Sequence, residues 1–388
     1  MKRFKKLIIT FALALLIVPC VLLMTGCTDS KIEINQNIII DTVTESSIET
    51  ATNKAMMSGV SIYAECDTKY GSRYIGMGSG VIYKLDKAAG DAYIITNYHV
   101  LYDEDYASPN GIATQIYVEI YGKEGTTVTQ NIFGSSVEYG DQVIEASYVQ
   151  GSLYNDLAII KISNSDILRS SDARAAELSD SPAHLGQTVI AIGNPLGRRL
   201  SATKGIVSVE SQYITYSDFY NVTLRTIRVD APINGGNSGG GLFDAKGRLL
   251  GIVNASTNNA ENMSYAIPLD LVTGVVDNIL YGYETGKYSG LQTISLGLGL
   301  NAKNSRAEYD EKTGLSTIKE DLYVSFVPTG INLRVGYRIV GAKIGDKTKM
   351  FNRLYEFDEF MLNLRGGMNI TIIYENFFGE LVGTNVRV

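Results

Sequence analysis

Histidine and cysteine are the scarce residues of this chain: its 388 residues include two histidines and three cysteines. Any proton transfer through an imidazole therefore falls to His99 or His184. The cysteines stand at 20, 27 and 66, too few and too scattered for a disulfide framework, so the fold must stand on its apolar core. Basic residues are also short, 34 Lys and Arg against 41 Asp and Glu, which argues against nucleic acid as a partner. There is no internal repeat and no low-complexity tract. Long helical periods do not alternate with the strands, which disfavours a doubly wound α/β fold. The glycine-rich stretch Asn234-Gly235-Gly236-Asn237-Ser238-Gly239-Gly240-Gly241 lacks the Lys-Ser/Thr that a phosphate cradle carries after its last glycine; Leu242 stands there. With 45% apolar and 19% charged residues, what remains is an ordinary globular composition, long enough for two or three domains.

The first residues differ from the rest. Four positive charges within Met1–Lys6 precede an uncharged run from Leu7 to Met24, which ends in Leu23-Met24-Thr25-Gly26-Cys27. These are the parts of a secretory signal. The ending resembles the bacterial lipobox, in which the leader is cut just before a cysteine that takes a lipid. The expectation is a lipoprotein signal peptide over 1–26, lipidation at Cys27 and a polar tether over 27–45. An uncleaved membrane anchor is the competing reading, since the apolar run is close to the ~20 residues a spanning helix needs. Either outcome leaves the body membrane-bound and outside the cytoplasm. Without residues 1–26 the balance is 30 basic against 41 acidic residues, a net charge of −11. Cys20 then leaves with the leader, and Cys66 stays alone.

Ser46-Ser47-Ile48-Glu49 matches a capping box and predicts a short helix toward Met57. Short apolar, β-branched runs follow at 60–63, 80–83, 93–96, 116–120, 143–148, 157–162, 188–192, 205–209, 224–229, 249–253 and 263–267. Turn residues punctuate them, the pattern of an all-β sandwich or barrel pair. Pro268 opens a helix whose Leu271, Val275, Val276 and Ile279 share one face. A polar spacer over 281–290 leads to one further small domain of short strands, 291–388.

Ser238 sits between glycines, whose backbones can turn N–H groups inward, so the loop could hold a developing oxyanion beside the hydroxyl. A flexible glycine turn is the plain alternative. His99 closes the apolar strand Ala92–Val100, and Asp156 opens the buried-looking strand Leu157–Ile160. Singly, each reads as a structural residue. Together they make the order His, Asp, Ser, which is the chymotrypsin order. A serine hydroxyl needs an imidazole to take its proton, and the imidazole needs a carboxylate to fix its tautomer. Backbone N–H groups over Gly236, Asn237 and Ser238 would receive the oxyanion. No metal or cofactor is called for.

Ser79-Gly80-Val81-Ile82, Thr96-Asn97-Tyr98-His99-Val100, Asn155-Asp156-Leu157-Ala158, Ala191 to Gly197, Gly236-Asn237-Ser238-Gly239-Gly240 and Ser264 to Pro268 are similar to the HtrA (Deg) family of serine proteases. The resemblance runs in order over roughly residues 50–270. It implies a mainly β fold: a trypsin-like protease domain (46–270) of two six-stranded antiparallel, chymotrypsin-like β-barrels. A linker helix and spacer (271–290) and a small PDZ-like domain (291–388) would follow. It makes His99 the general base, Asp156 its orienter and Ser238 the nucleophile. It also implies cleavage of unfolded or misfolded proteins outside the cytoplasm, commonly by homotrimers. Tyr98 stands where the family usually has asparagine, and Gly236 and Gly241 where prolines are common, which predicts an oxyanion loop less preorganised at rest. Leu296-Gly297-Leu298-Gly299 resembles the loop that holds a peptide carboxylate while the peptide adds a strand. Leu333 to Val340 fits a later strand, with Tyr337 in place of the usual aspartate.

Two other readings are open. A glutamyl-endopeptidase-like protease of the same barrel fold would lack the PDZ-like tail. An inactive, chaperone-like module would capture damaged chains without cutting them, although it would have no reason to keep all three triad residues.

Overall fold

Thr44, rather than Ser46, begins the first helix of the computed structural model, which describes residues 44–125, 127–132, 135–216, 221–256 and 262–388. The expected signal peptide, Cys27 and nearly all of the tether lie outside the described residues. In helix α1 (Glu45–Met56), Thr44 Oγ1 accepts from Ser47 N at 3.1 Å and Ser47 Oγ accepts from Thr44 N at 2.9 Å. The capping box is thus shifted from the expected Ser46–Glu49, with two hydroxyls serving each other's backbone.

Strands β1 (Gly59–Asp67), β2 (Arg73–Asp86) and β3 (Asp91–Thr96) lead to the one-turn helix α2 (Tyr98–Leu101). Then come β4 (Gln115–Ile120), a two-stranded ribbon of β5 (Thr127–Ile132) and β6 (Ser135–Gly140), β7 (Ile144–Ser152) and β8 (Leu157–Ile162). Strands β1-β2-β3-β8-β7-β4 close into an antiparallel barrel. Helix α3 (Asp166–Ser170) crosses to β9 (Thr188–Gly193), β10 (Ser201–Tyr216), β11 (Val222–Val229), β12 (Gly241–Asp244), β13 (Leu249–Ser256) and β14 (Ser264–Pro268). These close a second antiparallel barrel in the order β10-β11-β14-β13-β12-β9. The two six-stranded barrels are those the resemblance implies.

Helix α4 (Leu269–Thr285) runs into the expected spacer, because Leu280 and Gly282 continue its buried face; Gly286, at φ +65, ends it. The C-terminal sheet comprises β15 (Gly299–Asp310), β16 (Leu315–Phe326), β17 (Arg338–Ile344), β18 (Lys347–Met350), β19 (Asn369–Glu375) and β20 (Leu381–Arg387), with helix α5 (Leu354–Phe360) between β18 and β19. Its order is β15-β16-β17-β19-β20, with β18 paired to β17. The strand expected over 333–340 begins only at Arg338, because Gly336, at φ +93, keeps the chain turning there.

Strand alternation explains why the central runs are apolar on both faces. In β8, Ala158, Ile160 and Ile162 fill the first barrel, while Leu157 and Ile159 face outward. That outer face does not meet water. It packs with Ala51 and Ala55 of α1, Val272, Val275 and Val276 of α4, and Ile192 and Phe243 of the second barrel. Each of the larger side chains among them contributes about 1.5–3 kcal/mol by burial. The shared cluster locks both barrels and both helices into one body, so the cleft between the barrels has fixed walls.

A buried charge cluster joins the C-terminal domain to the second barrel. Arg225 of β11 donates through Nε and Nη2 to Glu359 of α5 at 2.5 and 2.6 Å, and through Nη2 to Asp270 of α4 at 2.7 Å. Its guanidinium lies 4.2 Å from the centre of the Tyr355 ring. Burial pushes the Glu359 carboxyl up to about 7, against the opposing pull of Arg225. Arg225→Ala is expected to cost about 3–5 kcal/mol at pH 8, because the buried Glu359 carboxylate then loses its partner, while Asp270, about a third exposed, still has the charge of Lys349 acting on it. Since Glu359 is raised in the folded chain, the stabilisation from its protonated form is full below the ordinary carboxyl range and lost as pH rises through about 7. The variant's deficit should therefore shrink at pH 5.5. Thermal unfolding of both chains at the two pH values measures this, and an equal deficit at both would refute the carboxylate origin.

Candidate active site

Asp156 is the anchor of the cleft. It follows a tight turn at Leu153–Asn155 and adopts the left-handed conformation, φ 47 and ψ 45. That geometry costs a non-glycine residue roughly 1–2 kcal/mol, and aspartate tolerates it better than most. The side chain is almost fully buried, and three groups surround its carboxylate. His99 N donates to Oδ1 at 3.0 Å, His99 Nδ1 lies 2.8 Å from Oδ2, and Asn254 Nδ2 also donates to Oδ2. Asn97 Nδ2 donates to the Asp156 carbonyl at 2.9 Å, tying the start of α2 to the start of β8.

The carboxylate fixes the imidazole. With Oδ2 as acceptor, Nδ1 carries the proton and Nε2 is left in the acceptor form. Burial alone would push the His99 imidazole down, yet the Asp156 charge and its hydrogen bond more than offset that, so the group ends above its ordinary value. The side chain still keeps 33% of its surface open at the cleft mouth, although the protein is dense around it. Tyr98, where asparagine is usual, packs its ring over Gly151 of β7 and lies 5.1 Å from Tyr102, so it is a wall of α2.

Ser238 arrives from the second barrel. Its Oγ donates to the Asn254 carbonyl at 2.8 Å. Asn254 is the extra residue where the β13–β14 register shifts between Val253 and Ala255, which takes its carbonyl out of the ladder. One buried asparagine thus touches both Asp156 and Ser238. The bulge that gives it this role follows from strand pairing, which no local motif displays.

The loop before Ser238 is held rather than slack. The Gly235 carbonyl accepts from Leu196 N at 2.8 Å, the Gly236 carbonyl from Ser79 Oγ at 2.7 Å and the Asn237 carbonyl from Gly240 N at 3.0 Å. The expectation of a poorly preorganised loop is therefore corrected. Gly236, at φ +94, is required rather than permissive: a Cβ there would lie 2.3 Å from the Asn194 carbonyl oxygen. A Cβ on Gly241 would meet the Phe243 ring at 2.2 Å. Among the described residues, no acceptor is bonded to Gly236 N or Ser238 N. Asn237 is a correction: its N–H is occupied by the Asn234 carbonyl at 3.1 Å, so the expected trio of donors reduces to two.

The other candidates lie elsewhere. His184 lines a cavity of about 540 Å³ beside Arg225, Asp270 and Tyr355, and burial lowers its imidazole. Leu296 and Leu298 pack partly against the C-terminal core, and Gly297, at φ +66, turns the chain into β15. Tyr337 stacks on Tyr374 at 5.0 Å and meets Phe377 edge-on at 4.9 Å, so packing occupies the place of the usual aspartate.

Comparison with known proteins agrees with this geometry. Residues 78–252 match the trypsin-like peptidase domain family. The serine protease Do-like HtrA of Bacillus subtilis is 32% identical over 293 residues, covering 73% of this chain and 55% of that protein. The Do-like HtrA of Lactococcus lactis subsp. lactis is 32% identical over 214 residues, covering 52% and 44%. The chain thus spans about half the length of the curated relatives it matches. Among solved structures, the HtrA-type protease AlgW with tripeptide superposes with a TM-score of 0.51 at 23% identity, over 88% of this chain and 96% of that one, a likeness of fold. With its trypsin-like peptidase domain at residues 78–252, the chain belongs to the HtrA family of serine proteases.

Proposed function

We propose that this chain is a membrane-tethered serine endopeptidase that cleaves unfolded or misfolded proteins outside the cytoplasm, with His99 as base, Asp156 as orienter and Ser238 as nucleophile. The observation that carries the reading is the unbroken contact path from His99 Nδ1 through Asp156 and Asn254 to Ser238 Oγ, beside two N–H groups that have no acceptor among the described residues. In acylation the hydroxyl leaves the Asn254 carbonyl and gives its proton to His99 Nε2. Oγ then bonds to the substrate carbonyl carbon, and the oxyanion settles on Gly236 N and Ser238 N. The C–N bond breaks as His99 returns the proton to the leaving amine, and water hydrolyses the ester by the same route. Each N–H donor is worth roughly 2.7–4 kcal/mol in the transition state.

The tether and location rest on the leader and Cys27. The C-terminal domain serves as the peptide-capturing module. Its β15 is an edge strand, open to an added strand, and Leu296–Gly299 lies at its start. Homotrimer assembly follows the family habit.

The test is labelling by a fluorophosphonate probe, with and without an unfolded casein-type substrate, read by peptide mapping. One adduct at Ser238, together with casein cleavage, is expected. A chain that binds unfolded casein but takes no label and cuts nothing in either condition is the inactive capture module instead.

A further inference from the structure

Ser79 is fully buried in β2 of the first barrel, yet its hydrogen bonds serve the loop that carries Ser238 from the second. The β2–β3 ladder pairs Val81 with Ile95 and does not extend to Ser79. Freed from that ladder, Ser79 N donates to the Ser238 carbonyl at 2.8 Å, and its own carbonyl accepts from Thr96 Oγ1 at 2.7 Å. The hydroxyl has a fixed direction. It accepts from Asn194 N at 2.7 Å, so its proton goes to the Gly236 carbonyl at 2.7 Å.

The two carbonyls that Ser79 holds belong to Gly236 and Ser238, the residues whose N–H groups have no acceptor among the described residues. A peptide unit is planar, with its C=O and N–H pointing in opposite directions. Leu196 N and Gly240 N fix the peptide on the N-terminal side of each donor residue, and Ser79 holds the one on the C-terminal side, for Gly236 together with Asn237 N, which donates to the Asn234 carbonyl. Both donor residues are thereby restrained at both ends. For Gly236 this matters most, since a glycine at φ +94 has no Cβ to resist rotation of its neighbouring peptides. Among the described residues, Ser79 Oγ is the only side-chain group bonded to the Gly236 carbonyl.

We propose that Ser79 is a positioning residue of the oxyanion site: a clamp from the first barrel that keeps the N–H groups of Gly236 and Ser238 aimed at the substrate carbonyl. This rests on the serine-protease reading and adds to it a residue that touches neither substrate nor triad side chain.

Ser79→Ala in the full-length chain removes the hydroxyl and keeps the N–H bond to Ser238. Outright loss of one oxyanion donor costs 10²–10³-fold; loosening the Gly236–Asn237 peptide, which Asn237 N still ties to the Asn234 carbonyl, should lower kcat less, about 10–100-fold. KM should stay within about twofold, and the acid limb of the pH profile should stay in place, because triad and substrate contacts are untouched. Affinity for a peptide boronic acid, which occupies the hole as a tetrahedral adduct, should fall in proportion to kcat. Binding of unfolded casein should be the same in Ser238→Ala with and without Ser79→Ala. Ser79→Cys, close in shape but a weak donor, should fall between wild type and alanine, and it carries the test if the alanine variant does not fold. Wild-type kcat in a folded alanine or cysteine variant overturns the proposal, and so does a loss carried by KM or by a shifted acid limb. A wild-type chain inert to fluorophosphonate overturns the protease reading itself, an outcome distinct from either.

Discussion

Alanine at Ser238 should lower turnover of an unfolded protein substrate by about 10⁶-fold, and alanine at His99 should do nearly the same. The two losses should not add, because a hydroxyl without its base and a base without its hydroxyl fail at the same proton transfer. What remains is the polarisation of the scissile carbonyl by Gly236 N and Ser238 N, about 10³–10⁴-fold over water. The fold should be almost indifferent. Ser238→Ala gives up one hydrogen bond, to the Asn254 carbonyl, worth about 0.5–1.5 kcal/mol. Single-turnover cleavage of a fluorescent casein by both single variants and the double separates the outcomes, alongside their unfolding midpoints. Additive losses would mean that the two side chains act in different steps. More than a few per cent of wild-type turnover in Ser238→Ala would remove the serine from the chemistry.

The strands and the three candidate catalytic residues are legible because each leaves a local mark. Leu157–Ile160 is apolar on both faces, and it proves to separate the barrel core from the α1–α4 cluster. His99, Asp156 and Ser238 each sit beside a strand end or a glycine pair that a linear reading can find. What could not be read is the second layer of contacts. Ser79 reaches Gly236 across 157 residues of sequence, and Asn254 reaches Asp156 across 98. Both bonds depend on where a ladder stops or slips by one residue, and hydrophobic periodicity reports faces, not ladder ends. The Arg225 cluster escaped for a similar reason, since its three elements lie far apart along the chain. Asn237 was misassigned by simple adjacency: a turn places alternate N–H groups on opposite sides, so the middle residue of the trio bonds backward to Asn234.

Asp156→Asn tests the electrostatics of the site with the least change of shape. An asparagine there has one acceptor oxygen, where the carboxylate has two that serve His99 N, His99 Nδ1 and Asn254 Nδ2. Its amide NH₂ must face either His99 N, donor against donor, or the Oδ2 side, where it meets Asn254 Nδ2, again donor against donor, and His99 Nδ1. The second choice makes Nδ1 an acceptor and puts the proton on Nε2, where it blocks transfer from Ser238. The expected loss in kcat is about 10⁴-fold. The pH dependence carries the sharper claim. In the wild type, burial lowers the His99 imidazole, but the Asp156 charge and hydrogen bond outweigh it and leave the group raised. Base catalysis needs the neutral ring, so activity should fall as pH drops through a value above about 6.5, the ordinary histidine figure. Removing the carboxylate's charge takes away what raised the group and leaves the burial that lowers it. The acid limb of the residual activity must then move to lower pH. Profiles of kcat/KM from pH 5 to 9 for the two proteins decide it: an unmoved limb, or one displaced upward, would mean that the titrating group is not an imidazole facing Asp156.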